Sequence, residues 1–447
     1  MSTTPPPEPI PPLRTDDGPA ARTPASESVA AAPPPPRDVL TDLLHPERGW
    51  FRALRHPEFR LFWTGNFVSN IGSWMQTVAQ GWLVLQLTGS PLWLGAVGFA
   101  QQIPALFFSL PGGVLADRVS RQRMLLATQG VMLLLALTMG VLTSLEIITV
   151  RHIVVIAFAA GVIMAINAPI YQATLRDLVP AEDTQNAIAL NSIQFNSSRV
   201  LGPTVAGFIL AFAGEAACFY LNALSYVVLL GVIWRVRFPA PQLRQPRSML
   251  ADLTEGFRYV WTHRTILLLV LMVALVSMFG LPYLVMLPAF ARDVLRVGET
   301  GLGYLTAAAG LGALLGGIRL AALPTHHRRG PLVLAAAAVF FAAILLFSLS
   351  RHPWISAALL AVVGASLVNS VATVNSLIQS MVPDNIRGRV LSMHTMAFLG
   401  FTPLGSLLVG ALAEQWGPPL AMALSSGFAL LLTLVVALSA PSVRRLQ

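Results

Sequence analysis

Residues 329–351 read RGPLVLAAAAVFFAAILLFSLSR. Between the two terminal arginines no charged side chain occurs, and the run matches the ~20 residues a helix needs to cross a bilayer core. In lipid every backbone N–H and C=O must find its partner within the chain, so α-helix is the conformation left to such a run. Comparable runs recur on either side of it, with short connections. The spacing predicts spans over 59–86, 92–115, 124–146, 152–173, 187–212, 216–235, 265–290, 299–322, 331–350, 354–377, 388–413 and 418–440. Composition agrees: 55% of the 447 residues are apolar and 11% charged, against roughly a quarter charged in soluble domains. The expected fold is an all-α polytopic membrane protein with twelve transmembrane helices in two pseudo-symmetric six-helix bundles.

The net charge of +9 would suit a nucleic-acid binder, but its distribution does not. All 29 basic residues are arginine, and they lie between apolar spans. With both termini on one side, twenty-four arginines fall on that side and four on the other (Arg151, Arg292, Arg296 and Arg351), while Arg199 lies within a span. Such a bias predicts cytoplasmic N- and C-termini in a bacterial inner membrane and a basic surface facing anionic lipid. The single cysteine, Cys218, excludes an internal disulfide and a cysteine metal site. A chain without lysine holds no Gly-x-x-x-x-Gly-Lys-Ser/Thr motif, which argues against ATP-driven transport.

Four segments follow from this reading. Residues 1–50, with proline runs at 5–7, 11–12 and 33–36, read as a disordered cytosolic tail. Residues 51–235 form one six-helix half and 265–447 the other with a short tail. The cytoplasmic loop 236–264 between them carries an amphipathic stretch over 249–263. At a constant offset of 203, Gly161 pairs with Gly364, Val179-Pro180 with Val382-Pro383, Phe195 with Phe398, Leu201-Gly202 with Leu404-Gly405, Gly207 with Gly410 and Gly214 with Gly417. Two related halves around a midplane site is a transporter plan.

Between spans 2 and 3 the chain reads Gly113-Val-Leu-Ala-Asp117-Arg118-Val-Ser-Arg121-Gln-Arg123. A basic topogenic loop accounts for part of this. The spacing also resembles the loop signature of the major facilitator superfamily, where it implies a charge relay that stabilises one access state. Span 5 carries Ser198-Arg199-Val-Leu-Gly202-Pro203-Thr-Val-Ala-Gly207. A Gly-Pro kink explains it structurally, and it is similar to the span-5 motif of that superfamily's antiporters, with Ser198 and Ala206 where glycines are usual. Gly-Ser-Trp-Met-Gln (72–76), Leu-Thr-Gly-Ser-Pro (87–91) and Val-Pro-Asp-Asn-Ile-Arg-Gly-Arg-Val (382–390) look like the drug and siderophore exporters of the superfamily, the branch of the enterobactin exporter and macrolide efflux proteins. The resemblance covers about residues 50–440. It implies a secondary active exporter of small amphipathic molecules, drugs or siderophores, working by alternating access and proton antiport.

Arg199 is the most informative residue. An arginine at that depth costs at least ~2.5–3.5 kcal/mol on insertion scales unless it meets water or a partner. It reads either as an anion-attracting or gating group, or as an arginine capped by polar neighbours such as Asn191 and Asn196. Asn66, Asn70, Ser73, Thr77 and Gln80 fall on one helical stripe of span 1. That stripe fits a substrate cavity or interhelical hydrogen bonds equally well. Asn167 and Tyr171 on span 4, Tyr283 on span 7 and Asn369, Thr373 and Asn375 on span 10 are candidates of the same kind. Met278 and Phe279 read more readily as packing. No Asp or Glu falls in the middle of a span, so the protonating group is open among Asp117, His394 and Glu414. An intramembrane enzyme needs a nucleophile with its base or a metal cluster, and no such constellation appears. The remaining alternatives are an importer of a small polar solute with the same fold and a transport-dead sensor. The expected assembly is a monomer in lipid, powered by the proton gradient without a cofactor or metal.

Overall fold

The computed structural model describes residues 51–109, 112, 119–238, 249–322 and 329–446, and the described residues contain helix but no strand. The proline-rich segment 1–50 and the Gly113, Asp117 and Arg118 positions of the loop motif lie outside them. The helices are α1 (Pro57–Thr88), α2 (Pro91–Ser109), α3 (Arg121–Ser144), α4 (Val150–Asp177), α5 (Thr184–Arg235), α6 (Met249–Thr262), α7 (Arg264–Val294), α8 (Gly298–Ala322), α9 (Arg329–Leu349), α10 (Pro353–Met381), α11 (Asp384–Trp416) and α12 (Pro418–Ser439). Ten stretches among the described residues are long and apolar enough to cross a membrane. The protein is an integral membrane protein.

Local chemistry sets the helix ends. Proline stands at the first position of α1, α2, α10 and α12, where its fixed φ suits a helix and its missing N–H costs nothing. Ser120 Oγ accepts the Arg123 N–H at the start of α3, and Thr149 and His152 form a reciprocal cap on α4. Helix α5 runs 52 residues but bends at Gly214, whose φ of 75° and ψ of −177° are open to glycine. Its limbs, 184–213 and 215–235, are the fifth and sixth predicted spans. Helix α7 is broken by two π-turns, Val276–Gly280 and Phe290–Val294. Most other predicted ends fall within four residues of the observed ones, and α4 and α10 run on four residues further.

The offset-203 pairs occupy equivalent contacts. Gly161 of α4 faces the Gln101 carbonyl of α2, and Gly364 of α10 faces the Ala309 carbonyl of α8. Gly202 of α5 packs on Ile71 and Trp74 of α1, and Gly405 of α11 on Met278 of α7. Pro180 and Pro383 each sit in extended backbone just before a helix. Gly417 ends α11 at φ 80°, as Gly214 ends the first limb of α5 at 75°.

Contacts between residues 51–235 and 265–446 gather toward the end of the bundle that carries Gly89, Gly214, Gly298 and Gly417. There α2 crosses α11 and α5 crosses α8. A Cβ on Gly95 would stand 2.4 Å from the Ser406 carbonyl oxygen, and one on Gly303 would stand 2.6 Å from that of Pro203. Small residues let helix backbones approach this closely in membranes. Three polar links cross the same end, one of them the bond from Thr300 Oγ1 to the Gly207 carbonyl at 3.4 Å. Glu414 of α11 accepts from Ser90 Oγ at 2.6 Å and from the Leu92 N–H at 3.3 Å, capping the first turn of α2. Arg292 Nη1 donates to the Leu85 carbonyl at 2.7 Å. At the opposite, arginine-rich end, the ion pairs Arg52–Asp183, Arg121–Asp177 and Arg387–Asp384 each stay within one half.

Candidate transport site between the two halves

Arg199 sits about 22 Å along α5 from the Gly214 bend, at 1.5 Å per residue. Its side chain is only 8% exposed. Nη2 donates to the Tyr283 hydroxyl of α7 at 3.3 Å, and the guanidinium carbon lies 5.7 Å from the centre of the Trp74 ring of α1. The Arg199 carbonyl packs against Gly310 of α8. One residue thus touches both halves. Phe195, one turn earlier on α5, meets Trp74 edge to face at 5.9 Å and holds the indole against the cation. Cation–π attraction contributes about 0.5–2 kcal/mol and a hydrogen bond to a charged group about 1.5–3 kcal/mol. Together they match the insertion cost of a mid-membrane arginine. Asn191 and Asn196 do not cap it: Asn191 accepts from Tyr171 of α4, and Asn196 donates back to the Ser192 carbonyl.

Tyr283 reaches this point because of the broken path of α7. The first π-turn packs Gly280 against the Phe340 ring, and Tyr283, fully buried, follows directly. Several buried polar side-chain atoms of the spans have no protein partner. Arg199 Nε, Ser198 Oγ and both amide atoms of Gln194 are buried without a hydrogen bond, as are Asn369 Oδ1 and Thr373 Oγ1 on α10. An unpaired buried polar group costs about 1–3 kcal/mol, so each of these atoms calls for a partner from water, an ion or a ligand.

The other sequence candidates divide. Ser73 of α1 bonds the Tyr226 hydroxyl on the second limb of α5 at 3.0 Å. Its neighbour Gln76 accepts from Asn222 of the same limb at 2.6 Å. Ser73 therefore makes an interhelical hydrogen bond inside one half. Asn66 donates to the Phe62 carbonyl and Thr77 to the Ser73 carbonyl, both within α1, while Asn70 is half-buried. Asn167 of α4 accepts from Thr128 of α3 at 3.0 Å. Asn369 donates to the Ala365 carbonyl, and Asn375 accepts from Gln379. Gly202, Pro203 and Gly207 of the span-5 motif line the contacts of α5 with α1 and α8. Of the loop motif, Arg121 pairs with Asp177 at the foot of α4, and the Arg123 N–H completes the Ser120 cap. Among the described residues no cluster of three His, Cys, Asp or Glu side chains could hold a metal.

Sequence reasoning passed over Trp74, Gln194, Ser198 and Arg292 as site residues. Trp74 lay in the quoted Gly72–Gln76 stretch, where only the family likeness was read. Gln194 and Ser198 stand four residues apart just before Arg199, a spacing that places them on one face of α5.

A family model for transmembrane secretion effectors matches residues 49–446. This chain belongs to the transmembrane secretion effector family. It is therefore a major facilitator transporter and not an enzyme. Among its relatives, the staphyloferrin A transporter of Staphylococcus aureus is 25% identical over 80% of this chain and 90% of that protein. The enterobactin exporter EntS of Escherichia coli O1:K1 / APEC is 28% identical over 84% of this chain and 90% of its own length. Among solved structures, the nucleoside transporter NupG superposes with a TM-score of 0.70 at 13% identity, covering 85% of this chain and 98% of that one. A bacterial homologue of the human lysosomal transporter Spinster gives 0.65 at 14% identity over 88% and 96%. These two likenesses speak to the fold alone.

Proposed function

We propose that this effector is a secondary active exporter of small amphipathic molecules, siderophores first among them, driven by proton antiport and alternating access. The observation that carries the proposal is the cluster of buried Arg199 and Tyr283 with half-buried Trp74, which joins the halves and leaves Arg199 Nε without a protein partner. A guanidinium flanked by an indole face recognises an anionic, aromatic or carbonyl-rich solute by charge and stacking together. The relatives named for enterobactin and staphyloferrin A support that class of cargo.

In this reading twelve spans rock about the cluster, with both termini in the cytoplasm and the monomer as the working unit. The end that carries Glu414 and Arg292 faces outward and is closed. The basic end faces the cytoplasm and admits cargo. Cargo that takes the Arg199 guanidinium from Tyr283 removes one tie between the halves. A proton on Glu414 weakens its hold on the first turn of α2, because a neutral carboxyl is a poorer acceptor at a helix N-terminus. Both events favour opening outward, where cargo leaves; in antiport the proton then crosses inward on the return step, with the cargo site empty. His394, buried on α11 with Nε2 unpartnered, is the second protonating group. The loop motif of Gly113, Asp117, Arg118, Arg121 and Arg123 stabilises the state closed toward the cytoplasm.

The test is efflux from cells loaded with enterobactin, staphyloferrin A, macrolides or lipophilic dyes, with and without a protonophore. Faster loss of one class, abolished by the protonophore, supports the proposal. Accumulation would mark an importer and overturn it.

A further inference from the structure

Helix α6 sits where the chain enters the membrane. It ends at Thr262, and α7 begins two residues later at Arg264, so its C-terminus is fixed at the level of the inner ends of the spans. Its middle is fixed as well. Gly256 packs against the Arg389 backbone, where a Cβ would stand 2.9 Å from the carbonyl oxygen. Arg389 Nη1 also meets the Glu255 carboxylate at 2.5 Å, and Val260 is buried. Arg389 lies in the first turns of α11, so α6 is held against the inner rim of the C-terminal half.

The face of α6 about a quarter-turn round from this contact carries two large aromatics. Phe257 and Trp261 are 58% and 66% exposed, one helical turn apart, with ring centroids at 5.7 Å and planes inclined by 22°. Around them Arg258, His263 and Arg264 are exposed. Trp234, at the inner end of α5, is 75% exposed and stands at the same end of the bundle. Aromatic rings at span ends are the ordinary belt of the headgroup level. A helix with aromatics beside arginines is suited to lie in that layer on an anionic leaflet.

We propose that the Phe257–Trp261 face of α6 is a lipid-binding site that seats on the headgroup–acyl boundary of an anionic leaflet, with Arg258 and Arg264 meeting lipid phosphates. Through the Glu255–Arg389 contact, the same helix fastens the C-terminal half to the bilayer surface. The proposal rests on the membrane placement of the chain and not on its cargo or direction of transport.

The test uses the full chain with Cys218→Ser and Trp261→Cys, a nitroxide at 261, and nanodiscs of neutral lipid or of lipid rich in phosphatidylglycerol. The expected result is relaxation by dissolved oxygen exceeding that by a water-soluble nickel chelate. Anionic lipid slows the label further, and Arg258→Gln with Arg264→Gln removes that lipid dependence. Collision with the nickel chelate dominating in both lipids would overturn the proposal. So would a short label-to-label distance between two copies, or release of the label on removal of residues 2–49. A second measurement needs no label: brominated lipid should quench the fluorescence of the unmodified chain more than that of Trp261→Phe. Equal quenching would count against the site.

Discussion

The Arg199 guanidinium of α5 lies 3.3 Å from the Tyr283 hydroxyl of α7. The two residues belong to different halves of the chain, and the arginine is also the one charged side chain placed deep in a predicted span. Buried charge and interdomain contact therefore coincide at one point, on the indole face of Trp74. A charge held this way has somewhere to go when cargo arrives, because its partners are a neutral phenol and a ring rather than a carboxylate.

Arg199→Ala should reduce transport at least tenfold with the protein still present in the membrane. Arg199→Lys should recover little, since a point charge does not reproduce a planar guanidinium stacked on indole. Tyr283→Phe removes only the hydroxyl, a loss of about 1.5–3 kcal/mol if the bond is charge-assisted. It should shift the balance of access states while leaving cargo affinity within about threefold. Initial efflux rates and cargo binding, measured on the same preparations, separate the two effects.

Ser73 provides the contrast. Its hydroxyl bonds Tyr226 inside one half, and interhelical hydrogen bonds of this kind average about 0.6 kcal/mol in membranes. Ser73→Ala should leave efflux within twofold. Asn222→Leu removes the bond to Gln76 and crowds the approach of Gly72, so thermal unfolding in detergent should occur at lower temperature. A large transport defect in Ser73→Ala would return Ser73 to the cargo path.

Glu414 tests the outer closure. Glu414→Gln keeps the shape and removes the charge at the start of α2, a helix-terminus interaction of about 0.3–1 kcal/mol. The outward-open population should rise about two- to fivefold. Spin labels at Leu87 and Trp416, both exposed at that end, should report the longer distance more often in the variant.

Gly303→Val or Gly95→Val places side-chain atoms where a backbone carbonyl already stands within 2.6 Å. The α5–α8 or α2–α11 approach then cannot form, so each variant should be trapped open at that end and transport should fall below a tenth of normal. Retained transport with the parent distribution of distances would contradict the role given to these crossings.

Much of the fold was legible because lipid leaves a long uncharged run such as 330–350 a single backbone solution. The repeat was legible for a sharper reason. Gly161 and Gly364, or Gly202 and Gly405, meet a facing backbone that no side chain can approach, so the positions stand out against a diverged background. The site was less legible. A polar stripe on α1 has the same spacing whether it faces cargo or another helix, and only the packing of the second limb of α5 decided Ser73. Arg199 announced itself by its cost and Tyr283 stood among the cavity candidates, but Trp74 is an aromatic in a span and reads as packing. Met249–His263 showed its amphipathic pattern, whereas its seat on Arg389 depends on a contact far away in sequence.

The central claim is export through the site at Arg199, and proteoliposomes test it most directly. With the chain oriented and a siderophore enclosed on the basic, cytoplasmic side, an inward proton gradient should drive the siderophore across. The same flux should be absent without the gradient and in Arg199→Ala. Flux in the reverse direction, or gradient-driven flux undiminished in Arg199→Ala, would contradict the account.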